Sequence, residues 1–203
     1  MIEQSGLADV GETLSIGSDA LYDLLARRLK RRPGYKLLTV LAPNDAGNRL
    51  VRLFSSDHDQ YPLGDADAVS DNKWFQRLFV EREPVVANDA LAILDWLPGF
   101  FDPETSDYGS LINFPVVIAG ESVGLINLTA PVGHFSDDSV AAVRDEIPLA
   151  ALAILAQRIA PGRADDVYGR GSDGRVFSTR QRPQSGLDDD GEVCMLRNAP
   201  RSV

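Results

Sequence analysis

The sequence predicts an α+β domain built on a central antiparallel sheet, and three observations predict it. Residues 108–131, YGSLINFPVVIAGESVGLINLTAP, hold two apolar, β-branched runs, 111–118 and 123–128, around Ala119-Gly120-Glu121-Ser122, the pattern of a β-hairpin. A second pair of strand-like runs, 36–41 and 49–55, flanks the turn-rich stretch Pro43-Asn44-Asp45-Ala46-Gly47-Asn48. Apolar residues at helical spacing precede these strands at 18–32 and follow them at 136–159.

Taken in order, residues 1–17 are weakly patterned and read as a loose lead-in. From Ser18, Leu21, Leu24, Leu25 and Leu29 form one helical stripe, with Ser18 or Asp19 placed to cap it. Arg27, Arg28, Lys30, Arg31 and Arg32 complement the negative end of the helix dipole before Pro33-Gly34 ends the helix, so the basic cluster reads as a solvated helix end. Residues 56–70 read as a polar loop. His58 stands there between Asp57 and Asp59, but with no second histidine at ligand spacing no metal site is assigned. Asp71 or Asn72 is placed to cap a short helix whose Trp74, Phe75, Leu78 and Phe79 recur at helical spacing; a brief strand follows at 84–87. Residues 89–107 combine a helical turn or two with Pro98-Gly99, Phe100-Phe101 and Asp102-Pro103, a composition suited to a lid.

Both hairpin runs are apolar almost throughout, which predicts central strands covered on both faces. Each carries one asparagine, Asn113 and Asn127. A loop centred on Gly120 would set them opposite each other, whereas a two-residue Gly120-Glu121 turn would offset them by one, and both registers are open. After the hairpin, Ser136 caps a helix that starts with Asp137 and Asp138, and Pro148 inside it should kink or split it. Residues 161–203 have few large apolar side chains and read as a disordered polar tail.

The chain has 203 residues and a formal net charge of −10. Its seven acids and seven bases in 161–203 cancel, so the excess lies in residues 1–160, which argues against a nucleic-acid partner. No run is long enough to span a bilayer and the first residues do not resemble a signal peptide, so a cytoplasmic location without membrane attachment is expected. The single cysteine, Cys194, lies in the tail, and the two histidines, His58 and His134, lie in loops outside any nucleophile motif. No phosphate-binding glycine loop and no zinc-protease motif occurs; no catalytic residue and no cofactor are assigned.

The strands SLINFPV and VGLINL, preceded in order by KLLTVL, RLVRLFSS, YPLG and NKWFQRLFVEREPVVAND and followed by Phe135-Ser136-Asp137-Asp138, resemble a small single-domain GAF protein over residues 18–160. The resemblance implies first and last helices on one face of the sheet and a helix- and loop-covered ligand cavity on the other. It implies a non-enzymatic sensory or regulatory domain that binds an unidentified small molecule and signals through a separate output protein. Trp74, Trp96, Phe100 and Tyr108 are the candidate cavity walls, with Asn88, Ser110, Asn113 and Asn127 as polar contacts; Asn127 also reads as a satisfier of buried backbone groups. GAF-like domains often pair through their first and last helices, making Leu21, Leu25, Leu152, Leu155 and Ile159 the candidates for a homodimer interface. Family members that reduce methionine sulfoxide through cysteines, or hold a bilin by one, are poor matches for a chain whose one cysteine is Cys194, and Asn72-Lys73 lacks the rest of the cyclic-nucleotide pattern. The alternative is a dimerisation or interaction module whose cavity is filled by its own aromatics.

Overall fold

The structure, a computed structural model, describes residues 3–44, 46–64, 66–68, 72–99 and 101–159; the tail expected to be disordered and Phe100 lie outside the described residues. In chain order the elements are α1 (Glu3–Ile16), α2 (Ser18–Arg31), β1 (Leu37–Pro43), β2 (Arg49–Ser55), β3 (Ala66–Ala68), α3 (Lys73–Phe75), β4 (Val85–Ala87), α4 (Ala90–Trp96), β5 (Ser110–Ile118), β6 (Glu121–Ala130) and α5 (Asp137–Ile159). A single π-helical turn, Gln76–Val80, continues α3. The strands form a six-stranded antiparallel sheet in the order β3-β2-β1-β6-β5-β4. Strand β3 falls inside the stretch expected to be only loop, where pairing with β2 supplies what local composition does not.

The β5–β6 register at the asparagines is the one expected of a loop centred on Gly120, but it is reached through a turn that neither alternative gave, and the Gly120-Glu121 turn is not formed. Ala119 (φ 51°) and Gly120 (φ 83°) form a two-residue turn of the doubly left-handed kind that matches strand twist, closing the pair Ile118↔Glu121. The register then shifts between Val116 and Val117, because Val123 is an extra residue on β6. Beyond that bulge Asn113 stands opposite Asn127.

Side-chain alternation divides the sheet into two faces. On one face Leu38, Val40, Ile112, Phe114, Val116, Ile126 and Leu128 pack under α2 and α5. The two helices run antiparallel, since Tyr22 near the start of α2 donates its hydroxyl to Gln157 at 2.8 Å while Arg28 near its end pairs with Glu146 at 3.4 Å. Gly124 sits beneath this layer, where a Cβ would lie 2.6 Å from the Leu41 carbonyl oxygen and 2.8 Å from Ile154 Cδ1.

Four expectations are corrected here. Residues 1–17 hold a 14-residue helix, α1, whose Val10 packs against the core. The residue that caps α2 is Gly17, with no side-chain cap bond, and Asp19 instead lies in the first turn. Leu21 and Leu25 are 0% exposed, so they belong to the core and not to a dimer surface; the apolar stripe that singled them out is the stripe the sheet itself covers. Leu152 is half-buried against the same core, while Leu155 and Ile159 are exposed. Finally, of the kink or split expected at Pro148, the split does not occur: α5 is one helix from Asp137 to Ile159. Pro148 is exposed, so the Arg144 carbonyl that loses its partner faces solvent, where water replaces the missing N–H.

Gly124→Ala should lower stability by about 1–3 kcal/mol, the usual cost of overpacking, because a backbone oxygen cannot move aside as a side chain can. Urea unfolding followed by far-UV circular dichroism checks this; an unchanged midpoint would mean that β1 and α5 have room to retreat.

Candidate functional site

On the other face of the sheet, Leu41, Leu50, Val85, Ala87, Leu111 and Leu125 pack with Trp74, Leu78, Ile93, Leu97, Phe101 and Tyr108. Across this apolar surface the register lines up one polar row, Ser55↔Thr39↔Asn127↔Asn113, running over β2, β1, β6 and β5. All four side chains are buried. Trp74 Nε1 donates to Asn113 Oδ1 at 2.8 Å, Asn113 Nδ2 donates to Asn127 Oδ1 at 2.8 Å, and Asn127 Nδ2 donates to Thr39 Oγ1 at 3.2 Å. The direction is dictated by chemistry. An indole nitrogen can only donate, so Asn113 must turn its oxygen toward Trp74, and each amide downstream is fixed in turn. Thr39 therefore accepts, which leaves its own hydroxyl hydrogen to donate.

Local sequence positions Trp74. Asn72 caps its helix by accepting from the Phe75 backbone N–H at 2.8 Å, and the π turn that follows is pinned to the hairpin by the Ser122 hydroxyl, which donates to the Leu78 carbonyl at 3.1 Å. The chain leaves this turn through Arg82 at φ 61°, a left-handed conformation that is strained for a residue with a Cβ. Opposite, Asp89 caps α4 by accepting from Ala92 N–H at 2.8 Å, which holds Ile93 and Leu97 against the Trp74 cluster.

Beside the middle of the polar row, further along β1 and β6, the packing opens into a cleft of about 60 Å³ lined by Lys36, Leu37, Asp57, Gln60, Tyr61, Asp107 and Thr129. Leu37 and Thr129 are two residues along β1 and β6 from Thr39 and Asn127, so cleft and row share one sheet face. Lys36 Nζ is 2.6 Å from an Asp107 carboxylate oxygen and 2.7 Å from the Asp107 carbonyl oxygen. Tyr61 is buried with its ring 5.6 Å from the Arg52 guanidinium. Burial raises its phenol pKa, Asp107 adds to the rise, Arg52 opposes it, and Asp57 raises it further. Beside these, Tyr108 is 9% exposed, packs its ring 5.3 Å from that of Phe101, and has a hydroxyl with no hydrogen-bond partner among the described residues. Burial first, then Tyr61 and Asp107, push its phenol well above the usual range; Ser106 acts the other way from outside good hydrogen-bond geometry.

The structure thus joins three of the sequence-derived candidates, Trp74, Asn113 and Asn127, and sets Tyr108 beside the cleft. Asn127 meets side chains, where backbone groups had been the expected partners. Asn88 and Ser110 are committed elsewhere: Asn88 donates to the Phe135 carbonyl at 2.6 Å and accepts from its N–H at 3.0 Å, and the Ser110 hydroxyl donates to the Pro131 carbonyl at 2.7 Å. Trp96 is half-buried, packed against the Trp74 cluster from its edge, with the Lys73 ammonium 4.1 Å from its ring centre. Sequence reasoning missed Thr39, Ser55 and the cleft residues, because only strand register and loop return bring them together. Among the described residues, no three His, Cys, Asp or Glu side chains gather in a way that would hold a metal ion, and no helix is long and apolar enough to cross a membrane.

No protein-family model and no curated protein matches the sequence. Among solved structures, the GAF domain of a phosphoenolpyruvate-protein phosphotransferase from Coxiella burnetii is similar with a TM-score of 0.57 at 19% identity, covering 75% of this chain and 92% of that one. The corresponding GAF domain from Acinetobacter gives a TM-score of 0.56 at 14% identity over 80% and 99%. A free methionine-R-sulfoxide reductase from Neisseria meningitidis, solved in complex with its substrate, gives 0.52 at 16% identity over 75% and 87%. At these identities the likeness is one of fold, and the fold is that of GAF domains.

The raised phenols carry a pH signature. Unfolded tyrosines ionise near pH ~10, and Tyr108 in the folded chain ionises higher. Its contribution to stability is therefore constant below about pH 10 and falls as pH rises beyond it, since the unfolded state releases its proton first. Urea unfolding of the wild type and of Tyr108→Phe at about pH 9 and about pH 11 should show a smaller alkaline loss in the variant; equal losses would mean that Tyr108 titrates normally.

Proposed function

We propose that this chain is a sensory or regulatory domain that binds a small molecule on the sheet face opposite α2 and α5 and passes the signal to a separate protein without catalysing a reaction. The observation that carries this reading is the polar row Thr39–Asn127–Asn113, buried within an apolar face and leading to an open cleft. Fixed polar groups in apolar surroundings orient a ligand, and an apolar floor supplies its affinity. Trp74 fills the centre of that face, so a ligand enters from the cleft and any larger one displaces the indole from Asn113. The GAF fold shared with the phosphotransferase domains supports a regulatory role.

Native mass spectrometry of the full chain should show an adduct that is lost on denaturation. Asn113→Leu should deplete that adduct by about tenfold or more, the loss of one buried hydrogen bond and the disruption of its neighbour, while far-UV circular dichroism is retained. An adduct of equal occupancy in the variant would place the ligand elsewhere.

A second function is favoured by a separate observation. Leu14 and Ile16 at the end of α1, and Leu155 and Ile159 at the end of α5, are 44%, 74%, 39% and 81% exposed. Helix α1 touches both α2 and α5, and the Tyr22–Gln157 bond sets the start of α2 beside the end of α5, so these four residues share one end of the helical layer. We infer a homodimer formed through this end, with Leu155 and Ile159 in the interface. Sedimentation velocity of Leu155→Asp/Ile159→Asp should give a monomer where the wild type gives a dimer; a monomeric wild type at tens of micromolar, on the order of the weakest specific interfaces, would remove the inference.

A further inference from the structure

The cleft has an uneven charge balance. The one cation on its lining, Lys36, is engaged by Asp107 through both the carboxylate and the backbone carbonyl, and the neighbouring Arg52, behind the Tyr61 ring, donates to the Pro62 carbonyl at 3.0 Å. The Asp57 carboxylate accepts the Gln60 backbone N–H at 3.1 Å and has no cationic partner among the described residues. The Tyr61 hydroxyl, the Thr129 hydroxyl and the Gln60 side chain, all on the lining, likewise make no hydrogen bond among the described residues. Tyr108 stands apart because its hydroxyl is both buried and unpartnered, in a side chain only 9% exposed. Tyr108 directly follows Asp107, a residue of the cleft lining, so the chain sets it next to the cleft. A hydroxyl buried without a partner is unfavourable and is normally explained by a missing water or ligand.

We propose that this cleft receives the protonated amine of a small alkylammonium compound, as the charged end of the ligand on which the proposed regulatory reading rests. An ammonium brings donors and no acceptors, which matches a lining of one unneutralised carboxylate, hydroxyl oxygens and an amide oxygen. The aromatic ring of Tyr61 on the lining favours a cation beside it. The volume, about 60 Å³, is close to that of two water molecules, enough for an ammonium with its first carbon. An anionic head group would instead meet Asp57, with Lys36 already taken. The acidic excess of residues 1–160 draws cations toward the domain from a distance.

The test is an amide NMR titration of the full chain with ethylammonium chloride, against sodium acetate and sodium chloride at matched ionic strength. Saturable shifts at Gln60, Tyr61 and Thr129 are expected with ethylammonium alone. Asp57→Asn should weaken them about tenfold or more, as expected for loss of a charge-assisted hydrogen bond. Tyr108→Phe should weaken binding and also raise the melting temperature of the free protein, because it deletes an unsatisfied buried hydroxyl without making a cavity. Linear shifts, equal shifts with acetate, unchanged affinity in Asp57→Asn, or a Tyr108→Phe variant that binds as well as the wild type would each overturn the proposal. An endogenous adduct that survives Asp57→Asn but not Asn113→Leu would overturn the ammonium assignment and leave the regulatory reading standing. Loss of the adduct in neither variant would remove both.

Discussion

The site face depends on one register, the pairing of Asn113 with Asn127 across β5 and β6. The turn at Ala119-Gly120 would by itself offset the two asparagines by one residue, and the extra residue Val123 restores the match. A slip of one position would send one asparagine into the layer under α2 and α5, among leucines that offer it no partner. It would also withdraw the acceptor from Trp74, leaving a buried donor unsatisfied. The bulge and the polar row are therefore parts of one arrangement.

The two faces of the sheet meet different demands. Beneath α2 and α5 the packing is almost wholly apolar and so close at Gly124 that a single methyl group would strike the β1 backbone. The opposite face carries the buried polar row, a π turn, a left-handed Arg82 and a tyrosine with an unpartnered hydroxyl. Each of these features is unfavourable on its own and persists because the helical layer stabilises the sheet independently. That division lets one face hold the fold while the other carries the features on which the proposed recognition rests. The distance between a site on one face and the exposed apolar end of the helical layer on the other is bridged by shared strands, since β1 and β6 contribute to both.

Much of this architecture was legible in the chain. The hairpin, the β1–β2 pair, the stripe of α2 and the Asn72 start of the short helix follow from periodicity and capping chemistry, which act over a few residues. Of the proposed site, Trp74 and the two asparagines stood out as polar or aromatic exceptions. Thr39 did not, because a threonine in LLTVL is an ordinary strand residue until its neighbour across the ladder is known. The dimer candidates Leu21 and Leu25 show the converse: a leucine stripe looks the same whether a sheet or a second chain covers it, and here the sheet does.

The sequence by itself determined the α+β class, the order of the strands along the chain and the elements that carry Trp74, Asn113 and Asn127, since these rest on local hydrogen bonding and on where apolar residues recur. Tertiary structure alone decided that α1 is a helix packed on the core, that β3 adds an edge strand, and that Lys36, Asp57, Tyr61, Asp107 and Thr129 surround one cleft. The physical reason is that these features arise from pairing between segments distant in the chain, and neither the bulge that sets the register nor the loops that close the cleft has a pattern of its own to announce it.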